Sequence, residues 1–287
     1  MASYLHLHAR LGLDPTKWNG MLSGKRNSSA KAHDKLGPLM RGTLTTCILV
    51  GLWGGAVAVF EPAPFILPGP GQVIITLIEQ WNSLIYHAGI TLSEILLGLV
   101  LGTILGVATA LLVNASNLAR RYVLPLIIAS QALPVFAIAP LLVLWFGLGL
   151  GSKIAMATLI IYFPVASALN DGLARADANF IDIARMYGAS RFQILSKFRL
   201  PAALPSLASG IRVAATVAPI GAVVGEWVGA SGGLGYVINQ ANARMQTDTV
   251  FAGLVLLILM VVLLRLAIDT LLDRLVFWAP RTNLHFA

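Results

Sequence analysis

Charge is scarce in this sequence: Asp, Glu, Lys and Arg make up 11% of its 287 residues, where a soluble domain carries about 25%. Hydrophobic residues supply 57% and mean hydropathy is +0.80, which excludes water as the main solvent. Cysteine is absent apart from Cys47, inside an apolar run, so neither a disulfide framework nor a Cys-based metal site is expected. A phosphate-cradling loop is missing too. Neither Gly20, Gly24 and Lys25 nor Gly149 to Lys153 has the Gly-x4-Gly-Lys-Ser/Thr spacing, and ATP chemistry in this chain is thereby excluded. The histidines lie in the tail, in one long loop and at the last residues, away from serines such as Ser130, so no nucleophile stands beside its base.

Apolar runs long enough to cross or nearly cross a bilayer occur at 43–60, 88–113, 133–150, 154–170, 207–229 and 250–272, and an all-α membrane protein of about six transmembrane helices is expected. The third and fourth runs are interrupted by Pro134, Pro140 and Pro164, so five or seven crossings remain open. The net charge of +8 is spread over short segments between apolar runs, which argues against a nucleic-acid partner and for a topological role. With the N-terminus inside and six spans, sixteen of the twenty Lys and Arg residues fall in cytoplasmic segments, and 61–87 holds none. Both termini are therefore expected in the cytoplasm of a bacterial inner-membrane protein.

Residues 1–42, rich in Ser, Lys, Gly and His, show no sustained period and are expected to form a basic cytoplasmic tail ahead of a membrane domain over 43–280. His6 and His8 are two isolated tail residues, and no metal site is expected of them. No small-residue cleavage site follows the first apolar run, so that run is expected to act as an uncleaved anchor. The stretch Glu61 to Gly71 holds four prolines and cannot be regular helix, while Gln72 to Trp81 has apolar residues at helical spacing and predicts a short helix on the outer face. Gly98, Gly102, Gly106 and Ala110 recur every four residues and make one face of the second span smooth. That face suits either packing within the subunit or an interface between subunits.

The polar region 171–205 is the longest charged segment between spans, and it predicts two short helices broken near Gly188. It contains Asp182-Ile183-Ala184, three residues, Gly188, nine residues, then Phe198-Arg199-Leu200-Pro201. An amphipathic helix of about two turns can lay an apolar face into a groove on another protein. Gly188 permits the sharp turn, and Pro201 is expected to end the helical segment before the fifth span. The alternative is a charged, solvated loop. The spacing resembles the EAA loop of binding-protein-dependent ABC importer permeases, in which Glu-Ala-Ala, three residues, Gly, nine residues and Ile-x-Leu-Pro recur. Asp182, Ile183 and Phe198 replace the Glu, the first Ala and the Ile of that pattern.

The resemblance extends over most of 88–275, through Ala139-Pro140-Leu141, Leu144 to Gly147 with Ser152-Lys153, and Gly225-Glu226-Trp227 with Gly233 to Tyr236. These strings are similar to the nitrate, sulfonate and taurine branch. Thr91 to Glu94, Ala129 to Ala132 and Asn242 to Gln246 are similar to permeases for pyrimidine precursors of thiamine. The resemblance implies a type I importer permease bundle of the MetI-like kind that pairs with a second copy of itself. It implies two ABC ATPase subunits docked at Asp182, Ile183, Ala184, Gly188, Ala189, Phe198, Leu200 and Pro201. ATP and Mg would sit on those subunits, this chain binding no cofactor, and a periplasmic binding protein would deliver a small solute. The solute so implied is a thiamine-precursor pyrimidine, with a sulfonate, taurine or nitrate as the alternative. A secondary transporter would instead need an internal inverted repeat or paired midplane charges, and no convincing repeat is present.

Five ionisable residues fall in or near spans, where an unpaired charge costs several kcal/mol. Arg265 and Asp269 are four residues apart and can pair on one helix face, and Arg212 can snorkel or find a carboxylate. Glu226, beside Trp227, allows two readings: a carboxylate that caps backbone or pairs with Arg244, or a contact on the translocation path. Glu94 is open to the same two readings. Ser130, Gln131 and Tyr162 are further candidates for the path, against the commoner use of such groups in binding neighbouring helices.

Overall fold

The computed structural model describes residues 38–130 and 134–278. Residues 1–37, with His6 and His8, lie outside the described residues, as do Gln131 and the side chain of Ser130. Among the described residues the elements are helices, with no strand.

Helix α1 (Pro38–Phe60) belongs to a unit of its own. The hydroxyls of Thr43, Thr45 and Thr46 donate to carbonyls three or four residues back, at 2.9 to 3.0 Å. An apolar solvent offers a hydroxyl no other partner, and this bond satisfies it within the helix.

The second unit begins at Glu61. The proline-rich stretch is irregular as expected, and α2 (Pro70–Glu79) then starts with proline in its first turn, where no amide donor is needed. Thr76 and Gln80 tie this short helix to Asp248 and Thr249 at 2.9 and 3.1 Å. Helix α3 (Trp81–Ala115) runs 35 residues, well beyond the roughly 20 that span a bilayer, and absorbs 81–87 from the expected loop. Then follow α4 (Asn117–Ser130), α5 (Val135–Phe146), α6 (Leu150–Ala174), α7 (Ala178–Met186) and α8 (Arg191–Ile194). A π-helical turn at Leu195–Arg199 leads into α9 (Leu200–Gly229), α10 (Leu234–Ala243) and α11 (Thr247–Leu275).

Among the described residues five helical runs are long and apolar enough to cross a membrane: Met40–Phe60, Trp81–Ala115, Leu150–Ala174, Arg191–Gly229 and Thr247–Leu275. The expected third crossing at 133–150 is realised differently. Helix α5 has 12 residues, a rise of about 18 Å against a bilayer core of about 30 Å, and is bounded by Pro134 and by Gly147 at φ 78°. Helix α4 precedes it in the same connection, and Arg120 and Arg121 hide that helix from a hydropathy reading. Pro201 also departs from expectation. It does not end a helix; the helical run from Arg191 to Gly229 passes through it. The turn immediately before it is π-helical, and such widening relieves the carbonyl that a proline ring would otherwise strike.

Helix α6 is the centre of the unit, packed on one side by α3 and on another by α9. Its neighbours reach it through glycine. A Cβ at Gly98 would stand 2.5 Å from Ala157 Cβ, one at Gly106 3.0 Å from Val165, and one at Gly221 2.7 Å from Ala157 Cα. The small-residue stripe of α3 therefore packs within the subunit, where Met156, Ile161, Val165 and Leu169 form a fully buried spine.

Candidate functional site

Two clusters stand at opposite ends of α9. At its start is a helical hairpin built by local caps. Asp177 Oδ1 accepts from Asn179 N at 2.9 Å and opens α7. The helix closes at Gly188, in the left-handed region at φ 78°, with Ala189 N donating to Ala184 O at 2.9 Å. This six-to-one closure calls for glycine at the turn and brings Ala189 against Ala184. Ser190 then starts α8 with a capping box: its Oγ accepts from Gln193 N at 3.3 Å and its N–H donates to Gln193 Oε1 at 2.8 Å. A small core of Ile181, Ala184 and Ile194 holds the two helices together, with Ala189 packed against it.

Once that core is made, the hairpin has an apolar surface left over. Met186 and Tyr187 are 87% and 89% exposed, Phe192 is 76%, and Phe180 and Ile183 are exposed as well. Asp182 is also exposed, in an ion pair with Arg185 at 2.9 Å. Of the residues singled out by the motif, Ala184 is buried and structural, Ala189, Leu200 and Pro201 are half-buried, and Asp182, Ile183, Gly188 and Phe198 face outward. The aromatic tip of Tyr187 and Phe192 was not among them, since the motif spacing marks the caps rather than the residues that project from them.

At the other end of α9 lies a buried polar node. Glu226, 1% exposed, accepts from Thr91 Oγ1 of α3 at 2.6 Å and from the N–H of Gly235 at the start of α10. Thr91 Oγ1 in turn accepts from Leu234 N at 2.8 Å, and His87 Nδ1 accepts from Gly233 N at 3.1 Å. The turn between α9 and α10 is thus held by side chains of α3. Glycine is required there: Gly233 has φ 112°, and a Cβ on Gly233 or Gly235 would run into the Glu226 carboxyl. Glu226 therefore caps backbone and bonds to Thr91, while Arg244 is exposed.

Glu94 is fully buried beside Glu226 and Lys153, and neither of its oxygens has a well-formed hydrogen bond. Lys153, expected in a loop, lies in the first turn of α6, 4% exposed. Its ammonium donates to the carbonyls of Leu148 and Gly149 at 2.9 and 3.1 Å, and its stem runs under Gly225. Of the other path candidates, Tyr162 is half-buried and Trp227 is exposed, and neither joins the node. The membership of Thr91, His87 and Lys153 had no signal in the sequence beyond their presence in an apolar setting.

The remaining membrane charges are paired. Arg212 meets Asp269 at 3.0 Å and Asp273 at 2.6 Å, and Arg265 meets Asp269 at 2.9 Å. Arg265 also donates to the Arg212 carbonyl at 2.6 Å and to Thr216 at 3.0 Å. This network fastens α11 to α9 and explains why both arginines are tolerated there. Among the described residues no group of three or more His, Cys, Asp or Glu could hold a metal ion.

Residues 98–278 match the family described as binding-protein-dependent transport system inner membrane component. The chain is 47% identical over 239 residues to a probable ABC transporter permease protein of Haemophilus influenzae, covering 83% of this chain and 98% of the relative. It is 37% identical over 219 residues to the formylaminopyrimidine transport permease ThiX of Halalkalibacterium halodurans, covering 76% and 88%. In fold it is similar to the MetNI methionine ABC transporter in an inward-facing conformation, at TM-score 0.60 and 23% identity over 69% of this chain and 98% of the other. The chain belongs to the inner-membrane permease subunits of binding-protein-dependent ABC importers, a family whose ATPase activity lies in a separate subunit.

Proposed function

We infer that the α7–α8 hairpin is the dock for the ATPase and that the chain works as two copies, carrying a small solute from a binding protein on the outer face to the cytoplasm. The observation that carries this reading is the apolar tip. Met186, Tyr187 and Phe192 project from a hairpin that already has its own core, an arrangement with no folding use and one that fits a groove on another protein. The helical run Arg191–Gly229 joins that tip directly to the membrane core, so a displacement of the tip moves α9 as a rigid body. With α4 and α5 together making the crossing between α3 and α6, the distribution of Lys and Arg supports a cytoplasmic tip and cytoplasmic termini, with the 1–42 tail ahead of the 43–280 membrane domain.

Membrane fractions carrying tagged protein with Asp182→Lys or Gly188→Val should retain the inserted permease but lose the co-purifying ATPase and uptake. Unchanged ATPase capture in both variants counts against the docking reading. For the solute, we propose a pyrimidine of the thiamine-precursor class, supported by the similarity to the formylaminopyrimidine permease and by the strings Thr91 to Glu94 and Asn242 to Gln246. The binding protein captured with the complex should yield an aminopyrimidine on extraction. A sulfonate, taurine or nitrate recovered instead replaces the pyrimidine and leaves the docking reading standing.

A further inference from the structure

The docking hairpin has a second face, turned towards the corner where α3 ends at Ala115 and α4 begins at Asn117. Between them lies a groove of about 690 Å³ lined by Arg185, Arg191 and Arg199 together with Asn114 and Asn117, and none of its lining residues is acidic. Arg199 Nη1 donates to Asn114 Oδ1 at 3.0 Å, which fixes the guanidinium, while its Nε is buried with no acceptor. Among the described residues Arg185 pairs with Asp182, in an exposed pair, and a pair of that kind holds a guanidinium loosely. Asn117 is the first residue of the 14-residue α4, whose start Ser116 caps by accepting from Ala119 N at 3.3 Å, so the helix brings its electropositive end to the groove rather than free amides. Arg120 and Arg121 follow on the same helix.

Guanidinium forks, a buried donor without an acceptor and a helix start together make a site for a tetrahedral oxyanion, which arginine binds through paired N–H groups. The location selects the source of the anion. Asn114 and Ala115 are the last residues of a helix long and apolar enough to cross a membrane, and basic pockets beside the cytoplasmic ends of such helices hold anionic lipid headgroups. We propose that this groove binds the phosphodiester headgroup of an anionic phospholipid, placed between the ATPase-docking hairpin and the end of α3. The single negative charge of the phosphodiester lies among the three arginines, of which Arg185 already faces Asp182, and the lipid braces the hairpin from the membrane side.

The full chain is purified from membranes containing phosphatidylglycerol and phosphatidylcholine, then delipidated stepwise, and the lipid retained per protein is measured by native mass spectrometry. Phosphatidylglycerol should outlast phosphatidylcholine, and Arg191→Gln/Arg199→Gln should lower its retention about tenfold or more, the loss expected for two charge-assisted contacts. Arg191→Lys/Arg199→Lys, which keeps the charge and loses the forks, should fall between. If the glutamine variant does not remain monodisperse, wild-type protein is challenged with short-chain phosphatidylglycerol or with inorganic phosphate. Displacement by the short-chain lipid alone supports the proposal, and equal displacement by phosphate assigns the groove to a free anion and overturns it. Equal retention of the two lipids by wild type also overturns it. So does a glutamine variant that keeps its phosphatidylglycerol and loses the ATPase, which gives the groove to an acidic partner chain.

Discussion

The two ends of α9 solve opposite problems. At the docking end the hairpin is held by bonds between residues two to five apart, and its large side chains are left outside. At the far end the turn into α10 is held by Thr91 and His87 of α3, more than 130 residues away in sequence, and its polar groups are enclosed. One end is shaped by its own local bonds and presents a surface; the other is shaped by bonds to a distant helix and is enclosed. A part that engages a partner needs an independent shape, whereas a part that keeps a turn closed against an apolar surround needs every donor answered.

This contrast is broken most severely at the glycines of the enclosed end. Gly233→Ala puts a methyl into the Glu226 carboxyl at a positive φ and should cost about 3 kcal/mol or more of stability, read as a large fall in the unfolding temperature of the detergent-purified protein. Glu226→Ala leaves the Gly235 amide without its acceptor and the Thr91 hydroxyl with only the longer bond to the His87 carbonyl at 3.2 Å, for about 2 kcal/mol. Thr91→Val should cost about 1 kcal/mol by itself, and the double variant with Glu226→Ala should fall short of the sum by at least about 0.5 kcal/mol. Strict additivity in that cycle would dissolve the node into unrelated contacts. The smallest effect on stability belongs to the docking end. Tyr187→Asp at the exposed tip should lie within about 0.5 kcal/mol of wild type while capture of the ATPase falls about tenfold or more. A loss of stability there would show that the tip is packed rather than presented.

Local features were legible in the sequence and long-range ones were not. The spacing Asp182, Gly188, Pro201 located the hairpin because caps and turns are written in consecutive residues, and Gly188 turned out to hold the positive φ that the break required. The same local reading misjudged Pro201, since one wide π turn upstream lets a helix carry a proline. Long apolar runs located the main crossings, yet α4 escaped notice because Arg120 and Arg121 interrupt its apolar face. Glu226 could be flagged as a buried charge needing an answer, but its partner Thr91 lies 135 residues earlier. The Gly98 to Ala110 stripe was legible as smooth, and only the packing of α6 decided what lay against it. Lys153 passed for a loop residue because the helix that buries it starts at Leu150, earlier than its apolar run suggests.

The separation of Thr91 from Glu226 also sets an order of manufacture. At about 5–20 residues per second, a gap of 135 residues leaves Thr91 and Glu94 waiting on the order of ten seconds for α9 to be synthesised. During that interval the Thr91 hydroxyl can turn to the His87 carbonyl of its own helix, whereas the Glu94 carboxyl, buried beside Glu226 in the finished bundle, waits in an apolar surround where a charge is costly. The node thus closes late: only a chain elongated past Gly235 holds both the Glu226 carboxyl and the amide that donates to it.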